Sequence, residues 1–121
     1  MTPDEVRAVA AGMPGVEDGS TAERLGFGFG GKGIAWTFMQ RDNPRQKRWP
    51  NLDVLAVSCS VEVKDLRIEA APDTFFDDPH YHGYPAVLVR LPRVEAAEMT
   101  DLLQAACEFQ ASRPQKRKRA K

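Results

Sequence analysis

The side chains best suited to chemistry lie in one short run, Asp77-Asp78-Pro79-His80-Tyr81-His82-Gly83-Tyr84. His80 and His82 are the two histidines of the sequence. On an extended segment, residues two apart point to the same side. Two neutral imidazoles with the carboxylates of Asp77 and Asp78 make a donor set suited to zinc or iron. The simpler reading makes His80 a hydrogen-bonding scaffold residue with Tyr81 and Tyr84 packed beside it, and on that reading no metal is expected. Catalysis needs a nucleophile, a base and an oxyanion site brought together. His80 can serve as a base and Ser58 or Cys59 as a nucleophile, but no local spacing ties them, and apolar strand neighbours suit neither. There is no Gly-x-Ser-x-Gly elbow. The glycine-rich run 26–33 is not followed by a helix start that would bind an anion, so it reads as strand and turn. No catalytic residue and no cofactor are assigned.

A second grouping is cationic. Arg41, Arg45, Lys47 and Arg48, followed by Trp49, fall in a polar stretch between two strand-like runs. Guanidinium forks on such a projection suit phosphates, with Trp49 free to pack or stack. Residues 112–121 add six bases and no acid. Seventeen basic residues balance seventeen acidic ones overall, so the remainder carries eleven against seventeen, a net charge of −6. An acidic body opposes nucleic acid unless loop and tail share a face. Contacts of this kind are strongly salt-dependent and select little by sequence.

The elements that position these groups follow from periodicity. Thr2 as N-cap, Pro3 at the first helical position and Asp4-Glu5 in the first turn start a helix. It buries Val6, Val9, Ala10 and Met13 and ends near Ala11; residues 14–22 read as a loop. From Leu25 the period becomes two, with Phe27 and Phe29, then a turn at 30–33, then Ile34, Trp36 and Phe38, predicting a hairpin. Residues 41–51, with Pro44 and Pro50, read as a loop, and 54–60 as a third strand. Residues 61–71 are predicted helical, 73–84 a structured loop with aromatic anchors, and 85–91 the last strand. A closing helix over 94–110 carries Met99, Leu102, Leu103, Ala106 and Phe109 as its core stripe.

Composition suits one domain over 1–112 and a basic tail over 113–121. The chain has 121 residues, 42% hydrophobic and 28% charged, which can supply one core without disulfides. No apolar run reaches the roughly 18–20 residues of a membrane helix. Acid stands near the N-terminus where a signal peptide carries base. A cytoplasmic location, no membrane partner and a monomer are expected. Cys59 and Cys107, each inside an apolar pattern, are expected to be buried free thiols.

Several blocks in order and spacing resemble the MmcQ/YjbR family of small bacterial proteins. These are Met13-Pro14-Gly15-Val16-Glu17, the Gly31-Lys32 turn, the strand from Asn51 to Ser60, Phe75-Phe76-Asp77-Asp78-Pro79-His80-Tyr81-His82-Gly83-Tyr84-Pro85, the strand 86–91 and the closing helix. The resemblance spans about 4–114, with two departures: His82 replaces a commonly charged residue, and Gly33 a larger apolar one. It implies a frataxin-like sandwich, and the family is commonly labelled DNA-binding through winged hairpins. The expected fold is α+β, an antiparallel sheet of about four to five strands with the N- and C-terminal helices packed on one face. The expected function is a non-enzymatic DNA-binding or regulatory module contacting phosphates through Arg41, Arg45, Lys47, Arg48 and Trp49. The alternative is a small-ligand or protein-interaction domain centred on His80, Tyr81, His82, Gly83 and Tyr84, with Trp36, Phe38, Phe75 and Phe76 available to frame a pocket.

Overall fold

Thr2 does cap the first helix: its Oγ1 accepts the Glu5 N–H, and the Glu5 carboxylate accepts the Thr2 N–H. The computed structural model describes residues 1–113. From this cap run α1 (Pro3–Ala11), β1 (Val16–Asp18), β2 (Gly26–Phe29), β3 (Lys32–Gln40), β4 (Trp49–Ser58), α2 (Val61–Ala70), β5 (Phe75–Phe76), β6 (Ala86–Arg90) and α3 (Ala96–Ser112). Short 3₁₀ turns occupy Pro79–Tyr81 and Leu91–Arg93. The strands form one antiparallel sheet in the order β1-β2-β3-β4-β6-β5.

Six strands replace the four or five expected. The two added are too short to leave a periodic signature. β1 lies in a stretch expected to be loop and pairs Val16 with Phe29. β5 is two residues long and pairs Phe75 with Val89. β4 starts at Trp49, inside the expected loop, with Pro50 opposite Met39. The register then jumps: Phe38 faces Asn51 while Thr37 faces Leu55. This bulge interrupts the alternation, and so the first half of β4 does not read as strand.

The sheet is buried on both faces at its centre. On the inner face, Phe27, Ile34, Leu55, Val57, Val87 and Val89 pack against Val6 and Ala10 of α1 and Met99, Leu103 and Ala106 of α3. The two terminal helices therefore share one face, as expected. Cys59 and Cys107 are free and buried. The α3 stripe differs in one place. Phe109 is half-buried, with the Arg113 guanidinium 5.2 Å above its ring, while Gln110 is buried and donates to the Gly33 carbonyl and Ser58 Oγ. On the outer face Phe38, Val54, Ala56, Ala86 and Leu88 are covered by Tyr81, with Trp36 and Phe76 at the margins. Among the described residues no helix is long and apolar enough to cross a membrane.

Candidate functional site: an aromatic cleft beside a cationic loop

The segment between β5 and β6 holds its shape through one buried cation. Asp78 accepts the His80 N–H and caps the 3₁₀ turn that Pro79 opens. Gly83, at φ +76°, turns the chain so that the Tyr84 N–H reaches the Tyr81 carbonyl. From α2, Lys64 is 2% exposed. Its Nζ donates to the Tyr81 carbonyl at 2.6 Å and the Tyr84 carbonyl at 3.2 Å, and it pairs with Asp77 Oδ1 at 2.8 Å. Burial pushes the Asp77 carboxyl up, but bonds from Lys64 and the Asp78 N–H outweigh it and hold the group below its ordinary value.

Lys64 was not singled out from the sequence. A lysine beside an acid on a surface helix reads as solvated. The available signal was indirect: the apolar residues of α2 do not form a stripe, and Val61, Val63 and Leu66 are in fact exposed.

This geometry corrects two expectations about the histidine run. The segment is a 3₁₀ turn rather than extended, so the same-side placement of His80 and His82 does not hold. His82 lies outside with Nδ1 3.5 Å from Asp77 Oδ2, whereas the His80 ring meets Tyr81 edge-on at 5.6 Å. Among the described residues no group of three His, Cys, Asp or Glu side chains could hold a metal. Of the two tyrosines expected to be packed, Tyr81 is buried but Tyr84 is 48% exposed. Ser58, weighed as a nucleophile, uses its hydroxyl to donate to the Gly33 carbonyl and to accept from Gln110. Burial pushes the Cys59 thiol up against the opposing charges of Arg67 and Lys64.

Trp36, His80, Tyr81 and Tyr84 line an open cleft of about 240 Å³ on the outer face. Tyr81 is its floor: the hydroxyl accepts the Trp36 Nε1–H at 2.9 Å, and the ring meets Phe38 edge-on at 5.8 Å. Burial raises the Tyr81 phenol above its ordinary value, against the Trp36 hydrogen bond and the charge of Arg48. The cleft shares β3 with the other candidate grouping, since Trp36 stands four residues before Gln40 at the end of the strand.

That grouping forms the β3–β4 loop. Arg41, Arg45 and Lys47 are exposed, and Arg48 is half-buried with Nη1 donating to the Met39 carbonyl. Trp49 is 39% exposed. The acid of the loop, Asp42, accepts the Trp49 Nε1–H at 3.3 Å and the Gln40 amide at 2.7 Å. No carboxylate among the described residues lies within ion-pair distance of the four bases. The other cationic run starts elsewhere. Lys32, at the opposite end of β3, donates to the backbone carbonyls of Gln110 and Arg113. At ~3.3 Å per strand residue, the start of the tail and the loop after Gln40 are separated by roughly 26 Å along the sheet. The rest of the basic tail, 114–121, lies outside the described residues.

No family model matches the chain. It is 33% identical over 117 residues to the uncharacterised proteins Rv2570 and MT2646 of Mycobacterium tuberculosis (strains H37Rv and CDC 1551) and Mb2600 of Mycobacterium bovis. Each alignment covers 89% of this chain and 87% of the relative. Among solved structures it is similar to the crystal structure of Deinococcus radiodurans protein DR2400, described as a DUF419 domain. The TM-score is 0.57 at 22% identity, over 87% of this chain and 75% of that one; at that identity the likeness shows the fold alone. The MmcQ/YjbR resemblance is corrected accordingly, since the relatives are described only as uncharacterised and the domain named for the structural neighbour is DUF419. The chain belongs to the family of the uncharacterised mycobacterial proteins Rv2570, MT2646 and Mb2600.

Proposed function

We propose that this chain is a non-enzymatic nucleic-acid-binding module whose β3–β4 loop grips the phosphate backbone. The observation that carries this is the charge state of the loop. Four cations share one hairpin, none has a carboxylate partner among the described residues, and the nearby acid, Asp42, is held by the neutral donors of Trp49 and Gln40. Arg45 and Lys47 are free to reach phosphates, Arg41 donates one N–H to the Pro44 carbonyl at 3.3 Å and keeps the rest of its exposed fork, and Arg48 fixes the base of the loop to β3. The body is acidic, so contact through this loop is weak and non-specific.

Three phosphate contacts to duplex DNA give a slope of about −2.7 in log K against log salt, or roughly a 40-fold loss between 50 and 200 mM salt. Fluorescence anisotropy of a labelled duplex at those two concentrations tests this. A loop variant carrying Arg41→Ala, Arg45→Ala and Lys47→Ala should lose both the affinity and the slope. No binding by the wild type at low salt, or an unchanged slope in the variant, rejects it. The open cleft favours a second reading, a small-ligand or protein-interaction module centred on His80, Tyr81 and Tyr84. Its volume lies below the ~300–1,000 Å³ of sites for drug-sized ligands, which limits an occupant to about one ring system.

A further inference from the structure

Four ring systems meet in the cleft at steep angles. Trp36 and Tyr84 approach with centroids 6.4 Å apart and planes at 78°. Tyr81 meets Tyr84 at 5.6 Å and 87°, and His80 at 5.6 Å and 74°. Tyr81 is pinned from below by the Trp36 hydrogen bond and from behind by Lys64 on its carbonyl, so the floor is rigid. Tyr84 and His80 stand beside it and keep accessible ring surface.

We propose that this cleft takes one unpaired nucleobase, so that the module prefers single-stranded nucleic acid to duplex; the proposal rests on the phosphate-binding role of the loop for its backbone contacts. Three features point to a base. The space admits one planar ring and little more. The lining is aromatic, and every base offers a π-face for stacking whatever its sequence. Trp36 and Gln40 lie on the same strand, roughly 13 Å apart along β3, so the backbone of a strand with one base in the cleft can run on to Arg41, Arg45 and Lys47. A caged methylammonium would also suit perpendicular rings, but among the described residues no carboxylate lines the cleft. The nearby carboxylate of Asp78 is already engaged by the His80 N–H. A paired base cannot enter without leaving its stack, which costs a few kcal/mol.

The experiment compares a short single-stranded oligothymidylate with a duplex of equal length, using the full chain and reading anisotropy and tryptophan emission. The single strand should bind several-fold more tightly. Tyr84→Ala should weaken single-strand binding about tenfold, within the range for loss of one stacking partner, and leave duplex binding unchanged. Tyr84→Phe should restore the preference. Tyr84→Phe should melt as the wild type does, and Tyr84→Ala, which loses two edge-on ring contacts, should stay folded and melt a few degrees lower. The loop variant should weaken both ligands. If Tyr84→Ala changes neither affinity, or both equally, the cleft proposal fails while phosphate binding by the loop stands. If the wild type binds neither polymer, the loop role fails and thymidine monophosphate tests the cleft alone: absence of tryptophan quenching at millimolar nucleotide overturns it. Tyr84-dependent binding of a trimethyl-lysine peptide in preference to the nucleotide overturns the assignment of the occupant.

Discussion

Replacing Lys64 by methionine keeps most of the length and volume of the side chain while removing its ammonium group. In the folded protein this takes one of two donors from the Tyr81 and Tyr84 carbonyls, which keep the Tyr84 and Ala86 N–H groups, and leaves Asp77 without its cation. A hydrogen bond from a charged donor contributes about 1.5–3 kcal/mol net of desolvation. The Tyr81 carbonyl bond is buried and takes the larger value, whereas the Tyr84 bond is partly buried and takes the smaller. Asp77, with 31% of its side chain exposed, turns to water and adds little. Against this, the methionine thioether packs where the ammonium lay and recovers part of the loss. The balance is a net loss of about 2–3 kcal/mol, or roughly 8–12 °C in Tm for a domain of this size. Urea unfolding at pH 7 followed by circular dichroism measures it, and tryptophan emission reports separately on the Trp36–Tyr81 contact. A variant as stable as the wild type, or more so, would refute the reasoning. It would show that Lys64 can be replaced by any apolar side chain of its size, as happens with some buried ion pairs.

Acid should weaken the fold through Asp77 and Asp18. Both carboxyls are held below their ordinary value, Asp18 because bonds from Ser20 and Arg7 outweigh the upward push of burial. Their contribution is therefore complete above the unfolded carboxylate value of about 3.9 and is lost as pH falls through the lower folded values. Asp77→Asn should flatten that acid limb in urea midpoints taken from neutral pH to about pH 3; an identical profile would exclude the Asp77 contribution. Gly15→Ala should cost more than Gly30→Ala. Both positions have positive φ, but a Cβ at Gly15 falls 2.8 Å from Phe29 Cε1, while at Gly30 it meets nothing within 4 Å. The second change should cost about 1 kcal/mol, and equal losses would contradict the clash. Cys59 and Cys107 should label with a thiol reagent only on unfolding, because burial removes access and raises both thiols; prompt labelling of the folded protein would disprove this.

What could be read in the sequence was whatever repeats or punctuates. Thr2-Pro3 announced α1, the alternation of Ala86 to Leu91 announced β6, and the Met99–Leu103–Ala106 spacing announced the face of α3. Elements of two or three residues carry no period, so β1 and β5 were invisible. β4 was read only from Val54 because its bulge breaks the alternation after Asn51. The site was legible in its parts and not in its assembly. His80, Tyr81 and Tyr84 stood out by type, and the loop bases by density. The link between them is tertiary: Trp36 reaches Tyr81 across 45 positions, and Lys64 reaches it across 17. Gln110 illustrates the same limit, since a polar residue at the edge of a helical stripe gives no sign that Gly33 and Ser58 wait for it.

The Lys64 clip also bears on whether the cleft can be transplanted. A peptide copied from 77–85 would carry the rings without the cation that gathers the Tyr81 and Tyr84 carbonyls, and it would relax. A graft onto another sheet would need a helix arriving at the same height, with a lysine at its fourth residue and an acid to receive it. The smallest portable unit is therefore α2 through β6 laid on a β3 that supplies Trp36 and Phe38. Sequence variation at the rim, at His80 and Tyr84, would change the occupant and not the frame, while the length of the connection from Lys64 to Tyr81 must stay fixed.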